Sequence, residues 1–113
     1  MRRPTCLLAL ALVVIPVQGA DEWTIALDEW LRPRSGERVL HMDGVAEAVR
    51  AWQANAGSAL VIRYPGGEEG VLWAEELRSW IVGLGVPSTA VRLAPGTDQR
   101  DRIVVALSAR NRQ

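Results

Sequence analysis

A thin set of side chains would have to supply any chemistry in this 113-residue chain. His41 is the only histidine and Cys6 the only cysteine. A Ser-His-Asp or Cys-His arrangement would need His41 as its base, yet no Gly-x-Ser-x-Gly turn presents a nucleophile and Cys6 lies in the N-terminal segment. The neighbouring acids Asp28-Glu29, Glu68-Glu69 and Glu75-Glu76 invite a glycosidase reading. That chemistry needs two carboxylates facing each other across a cleft, whereas neighbours on one helix diverge by about 100°. One histidine with no cysteine beyond the N-terminal segment cannot build a zinc site, and no aspartate-rich calcium loop is present. No catalysis, no metal and no cofactor are expected.

Binding chemistry is better represented. Pro65-Gly66-Gly67-Glu68-Glu69-Gly70 precedes a helical pattern and invites comparison with a phosphate loop. Two glutamates at a helix N-terminus repel phosphate, and the loop has no lysine. The segment reads instead as a tight turn with acidic residues complementing the helix dipole; the alternative is an acidic lip that meets an arginine or amine of a partner. Arg63 and Tyr64 end the strand before this turn and, with Glu68, Arg78 and Arg102, are candidates for a polar partner-binding patch. The five tryptophans stand beside one tyrosine and no phenylalanine, so they supply most of the bulky aromatic volume. Trp52, Trp73 and Trp80 fall on apolar stripes and are assigned to the core. Trp23 and Trp30 lie next to acids and either dock on a partner or fold back over a sheet edge.

Those residues need a frame, and the chain supplies a small one. Met1-Arg2-Arg3-Pro4, an apolar run from Cys6 to Val17, and Gln18-Gly19-Ala20 before Asp21-Glu22 have the form of a secretory signal peptide, residues 1–20, cleaved after Gly19 or Ala20. The apolar run of 12 residues is short for a membrane span, which needs about 20. Export to the periplasm is therefore expected. The remaining 93 residues suit one domain and contain no cysteine, so no disulfide braces them. They carry 11 arginines against 13 acids and no lysine, a net charge of −2. With no basic stripe, nucleic acid and anionic membrane surfaces are poor partners.

Asp21–Leu31 forms an amphipathic lead-in, residues 21–36 including the break after it. Trp23, Leu27, Trp30 and Leu31 recur at helical offsets, while Trp23–Leu27 also alternates like an edge strand. Arg38–Met42 reads as a strand, followed by a helix from Val45 to Ala54 with Asp43 as its N-cap and Asn55-Ala56-Gly57 as its end. Ala59–Ile62 is continuously apolar, as in a strand buried on both faces. From Trp73, the residues Leu77, Trp80, Ile81 and Leu84 mark one helix face, which Gly85 and Pro87 terminate. Thr89–Leu93 gives a short strand, Pro95–Asp98 a turn, and Arg102–Ala109 a last strand with Ile103, Val105 and Leu107 inward. Residues 110–113 form a frayed tail. The order β-α-β-α-β-β over residues 37–109 implies a small α+β two-layer sandwich, with helices on one face of a sheet.

This order, with a helix ending Trp80-Ile81 and Gly85-Val86, resembles the OmpA-like peptidoglycan-associated domain. In that family a central strand leads through a glycine-histidine-threonine-aspartate turn into a helix with an alanine, an aromatic-leucine pair and a terminal glycine-valine. Ala74, Leu77, Trp80-Ile81 and Gly85-Val86 fall at matching positions, and Arg102 falls at the second arginine of the family's asparagine-arginine-arginine. The similarity spans Arg38–Leu107. It departs where the family binds its ligand: the arginine position holds Trp73, the aspartate turn reads Tyr64-Pro65-Gly66-Gly67, and the loop is shorter and lacks the asparagine. Holding the zwitterionic end of diaminopimelate takes an acid for the amine and an arginine for the carboxylate. The resemblance thus implies the fold and disfavours peptidoglycan. It leaves a non-catalytic module that binds an envelope protein partner through Trp23, Trp30, Arg63, Tyr64, Glu68, Arg78 or Arg102. The alternative is a cell-wall or glycan binder with a rebuilt ligand site.

Overall fold

The structure, a computed structural model, describes residues 21–32 and 35–109; the expected signal peptide and C-terminal tail lie outside the described residues. Four strands, β1 (Glu22–Ala26), β2 (Ala59–Pro65), β3 (Val91–Thr97) and β4 (Arg102–Ser108), form one mixed sheet in the order β1-β4-β2-β3. β4 runs antiparallel to both of its neighbours, and β2 and β3 are parallel. The strands β1, β2 and β3 therefore all finish at the same end of the sheet. Helices α1 (Leu27–Trp30), α2 (Gly36–Leu40), α3 (Asp43–Gln53) and α4 (Glu68–Gly83), and a single 3-10 turn at Ser88–Ala90, complete the fold. This is the small α+β domain that the sequence implied. Among the described residues no helix is long and apolar enough to cross a membrane.

The core lies between one face of the sheet and the helices. Ile25, Leu60, Ile62, Ile103 and Val105 point inward from the strands, and Val45, Val49, Leu77 and Ile81 meet them from α3 and α4. Because side chains alternate along a strand, the residues between them face away from the helices: Val61 and Arg63 on β2, Val104 and Ala106 on β4, Glu22 and Thr24 on β1. β2 is thus enclosed by hydrogen-bonded neighbours on both sides but covered by helices on one face only. This corrects the expectation of a strand buried on both faces. Its apolar run reflects an interior place in the sheet, and the small Ala106 stays buried there under its neighbours.

The lead-in resolves in favour of alternation. Trp23 and Ile25 pair with Val105 and Ile103, so β1 is an edge strand, and the chain turns helical only at Leu27. Arg38–Met42, expected as a strand, is instead the end of α2 and the link into α3. Val39 and Met42 are buried while Leu40 is exposed, a three-residue spacing that belongs to a helix. The Ser35 hydroxyl accepts the Arg38 N–H at 3.1 Å and starts that helix. At the other junctions the turns shift by a few residues. Asp43 is the first residue of α3 rather than its cap, and Pro95–Thr97 extend β3 instead of turning.

Two glycines fix the long helix. A Cβ on Gly70 would run into the Pro65 carbonyl oxygen, so only glycine lets the first turn of α4 lie against the end of β2. At the far end Gly85 adopts φ +114°. Its N–H donates to the Val82 carbonyl at 3.0 Å, and Val86 N–H donates to Ile81 at 3.3 Å. This is the paired-bond stop that glycine favours, and it buries Val86 against the core.

Candidate functional site

The end of the sheet where β1, β2 and β3 finish carries a groove of about 380 Å³. Topology builds each of its walls. β1 leads into α1, which supplies Leu27, Trp30 and Leu31; β2 ends at Pro65-Gly66; and α4 starts there and presents Glu69, Leu72, Trp73 and Glu76. β3 and β4 are separated in the sheet by β2, so the segment between them must cross the end of β2. That crossing brings Arg100 to the groove. The Leu27 N–H donates to the Asp101 carbonyl at 2.8 Å, tying α1 to the same crossing.

The floor of the groove is aromatic and the lips are aliphatic. Trp30 and Trp73 are 2% and 7% exposed, whereas Leu31 and Leu72 are 67% and 68% exposed on opposite lips. Val71 beside Leu72 is exposed too, so the apolar surface extends past the groove toward Gly67 and Glu68. The Trp73 indole N–H is buried and finds no acceptor among the described residues, a costly state for a buried donor. Carboxylates border the α4 side of this surface, Glu69 and Glu76 at the groove and Glu68 at the adjoining surface, whereas Asp28 of α1 lines a separate depression with Thr24 and Arg102. Asp28 and Glu29 stand in the first turn of α1, Glu68 and Glu69 in the first turn of α4, and Glu76 follows two turns later. Each of the two N-terminal pairs also complements its helix dipole.

The structure distributes the sequence-predicted residues over three places. Trp30 is a buried wall of the groove, so it anchors the fold and has no free face to offer a partner. Trp23 is half-buried on β1 and packs on the core. Tyr64, beside Ile62 on β2, packs partly against the same core near the groove end. Arg63 lies on the open face of the sheet, 3.6 Å from Glu22. Arg102 occupies that face as well and pairs with Asp101 at 3.2 Å. Glu68 begins α4, and Arg78 sits ten residues along it, about 15 Å by the helical rise. The expected polar patch of Arg63, Glu68, Arg78 and Arg102 therefore does not assemble: two members face away from the helices and two lie far apart on α4.

His41, expected on a strand, ends α2 with its Nδ1 2.8 Å from the Glu37 carbonyl oxygen. Among the described residues no three His, Cys, Asp or Glu side chains are placed to share a metal ion.

Sequence reasoning missed Leu31, Leu72 and Arg100 as site residues. Leu72 did carry a signal, because it precedes Trp73 and so lies about 100° off the buried stripe of α4. Arg100 carried none, since its place depends on where β4 inserts into the sheet. Compared with protein-family models, curated proteins and solved structures, the chain matches none, and the groove is interpreted from its own chemistry.

Proposed function

We propose that this chain is a small exported, non-catalytic module of the bacterial periplasm that binds an envelope protein partner. On this reading its frame is OmpA-like and the peptidoglycan site is gone. The observation that carries the proposal is the groove at the strand ends. It has a tryptophan at the position of the family's ligand arginine, two exposed leucines on its lips, and no acid in the Tyr64–Gly67 turn. Exposed leucines paired across a groove cost solubility without adding stability, and such surfaces mark protein interaction sites. A grip on a zwitterionic cell-wall peptide needs a desolvated acid and arginine held at a fixed separation, whereas Glu69 and Arg100 at this groove are both exposed to solvent.

The glycan reading has less support. Sugar stacking needs an open aromatic face, and Trp30 and Trp73 are both buried. Arg63 and Arg102, the candidates for a sugar carboxylate, sit on the open face of the sheet and are already paired with Glu22 and Asp101.

Fractionation and co-sedimentation test the proposal. The full chain, tagged at its C-terminus, is expressed in its source cell, recovered from the periplasmic fraction, and mixed with isolated sacculi or with solubilised envelope proteins. We expect periplasmic recovery, no pelleting with sacculi, and saturable capture of an envelope protein. Pelleting that Arg102→Ala abolishes would overturn the reading in favour of a rebuilt cell-wall site. Retention in the cytosol would overturn export.

A further inference from the structure

Resting on the partner-binding reading, we propose that the groove between α1 and α4 receives a cationic amphipathic helix of the partner. Its apolar face would lie between Leu31 and Leu72, with Lys or Arg side chains meeting the acidic residues of the α4 wall.

Three observations select this occupant. First, both walls are helical, and α4 satisfies its backbone bonds internally. The groove presents no open strand edge, so a ligand cannot add itself as a strand and must bind through side chains, as an amphipathic helix does in a groove. Second, the apolar contacts come from opposite lips. Leu31 and Leu72 are two-thirds exposed, and Leu27 and Trp73 lie deeper. A volume of about 380 Å³ takes two or three aliphatic side chains, which matches anchors on successive turns of one helix face. Third, the charge is acidic on balance. The two wall elements carry Asp28, Glu29, Glu68, Glu69, Glu75 and Glu76 and one arginine, Arg78, with Arg100 at the strand end and Arg32 just past α1; of these, Glu69, Glu76 and Arg100 line the groove itself. Such an imbalance draws in a basic partner and repels an acidic one, an effect screened beyond about 8 Å at physiological salt.

Fluorescence anisotropy tests this with a labelled model peptide of leucine and lysine, about 14 residues long so that it forms roughly four helical turns. A peptide with glutamate in place of every lysine is the control. The protein is purified after expression of the full chain. We expect saturable binding of the lysine peptide, weakened by added salt, and none of the glutamate peptide. Leu72→Asp and the double variant Glu68→Arg/Glu69→Arg should each weaken binding by about tenfold or more. Leu72 is exposed, so its substitution leaves the fold intact, and circular dichroism checks this for both variants. Equal binding by Leu72→Asp, or equal binding of the two peptides, overturns the proposal. If the lysine peptide fails to bind while envelope capture succeeds, the partner uses another face and only this inference falls. If capture fails as well, the partner-binding reading falls with it.

Discussion

Where β2 begins, the Trp52 indole donates to the Ser58 carbonyl at 3.0 Å, the Ser58 hydroxyl to Asn55 at 2.6 Å, and the Asn55 amide to Ala51 at 2.7 Å. Where β2 finishes, the Trp73 indole N–H has no acceptor among the described residues and two leucines stand in solvent. The same residue type is thus used in two ways at the two ends of one strand. At the first end Trp52 closes the turn after α3, and the Asn55 amide and Ser58 hydroxyl in that turn both donate to backbone carbonyls. At the second end Trp73 lines a groove and leaves a donor unpaired. A domain of this size has little stability to spare, and the unpaired donor and exposed leucines at this end are the observations on which the proposed binding role rests.

Substitutions can break or sharpen this contrast. The largest effect belongs to the glycine that lets the groove form. Gly70→Ala should destabilise the domain by about 3 kcal/mol, because the added methyl meets the Pro65 backbone and α4 must shift. Gly57→Ala at the closed end has open space and carries only the strain of φ +82°, about 1 kcal/mol. Urea denaturation of the two variants measures the difference, and equal losses would mean that α4 does not depend on close contact with β2.

The tryptophans give the next comparison. Trp52→Phe removes a formed hydrogen bond and should cost about 1–2 kcal/mol. Trp73→Phe also removes ring volume from a buried site, but it discards an unpaired donor, and the two effects offset. We expect the Trp73 variant to lose less stability than the Trp52 variant in thermal unfolding. The reverse order would show that the Trp73 N–H is bonded in solution.

A smaller effect is expected at the ion pair on the open face. Arg63→Ala should change stability by under about 1 kcal/mol, since both Arg63 and Glu22 are about half exposed. Smallest of all, Leu31→Ser and Leu72→Ser should shift the urea midpoint by the equivalent of about 0.5 kcal/mol or less, as exposed positions do. A large loss at either leucine would mean that the lips hold the domain together and are not free to bind.

Much of the frame was legible in the sequence because local periodicity reports which face is buried. The stripe Trp73, Leu77, Ile81 lies in the core, and so do the alternating Ile103 and Val105. Gly85 ends the helix where its spacing placed it. Periodicity failed where elements were short. Over Arg38–Met42 a five-residue window fits both alternation and a helical turn, and burial of Val39 and Met42 decided for the turn. In the lead-in, pairing of β1 with β4 settled a choice that two or three apolar residues left open.

The site was far less legible. The resemblance put Arg63 near the ligand mouth and grouped it with Glu68, Arg78 and Arg102, but alternation along β2 and β4 sends two of them to the open face. The groove exists because β4 inserts between β1 and β2, which gathers three strand ends, two helices and the crossing with Arg100. The sequence by itself determined the amphipathic helix α4, the inward residues of β4, the acidic residues at the start of α4 and the poverty of catalytic groups, because each depends on side-chain type and local spacing. Only the tertiary structure decided which strand lies beside which. Strand pairing is a long-range choice among backbone groups that are chemically alike, and it placed Leu31, Leu72 and Arg100 around one groove.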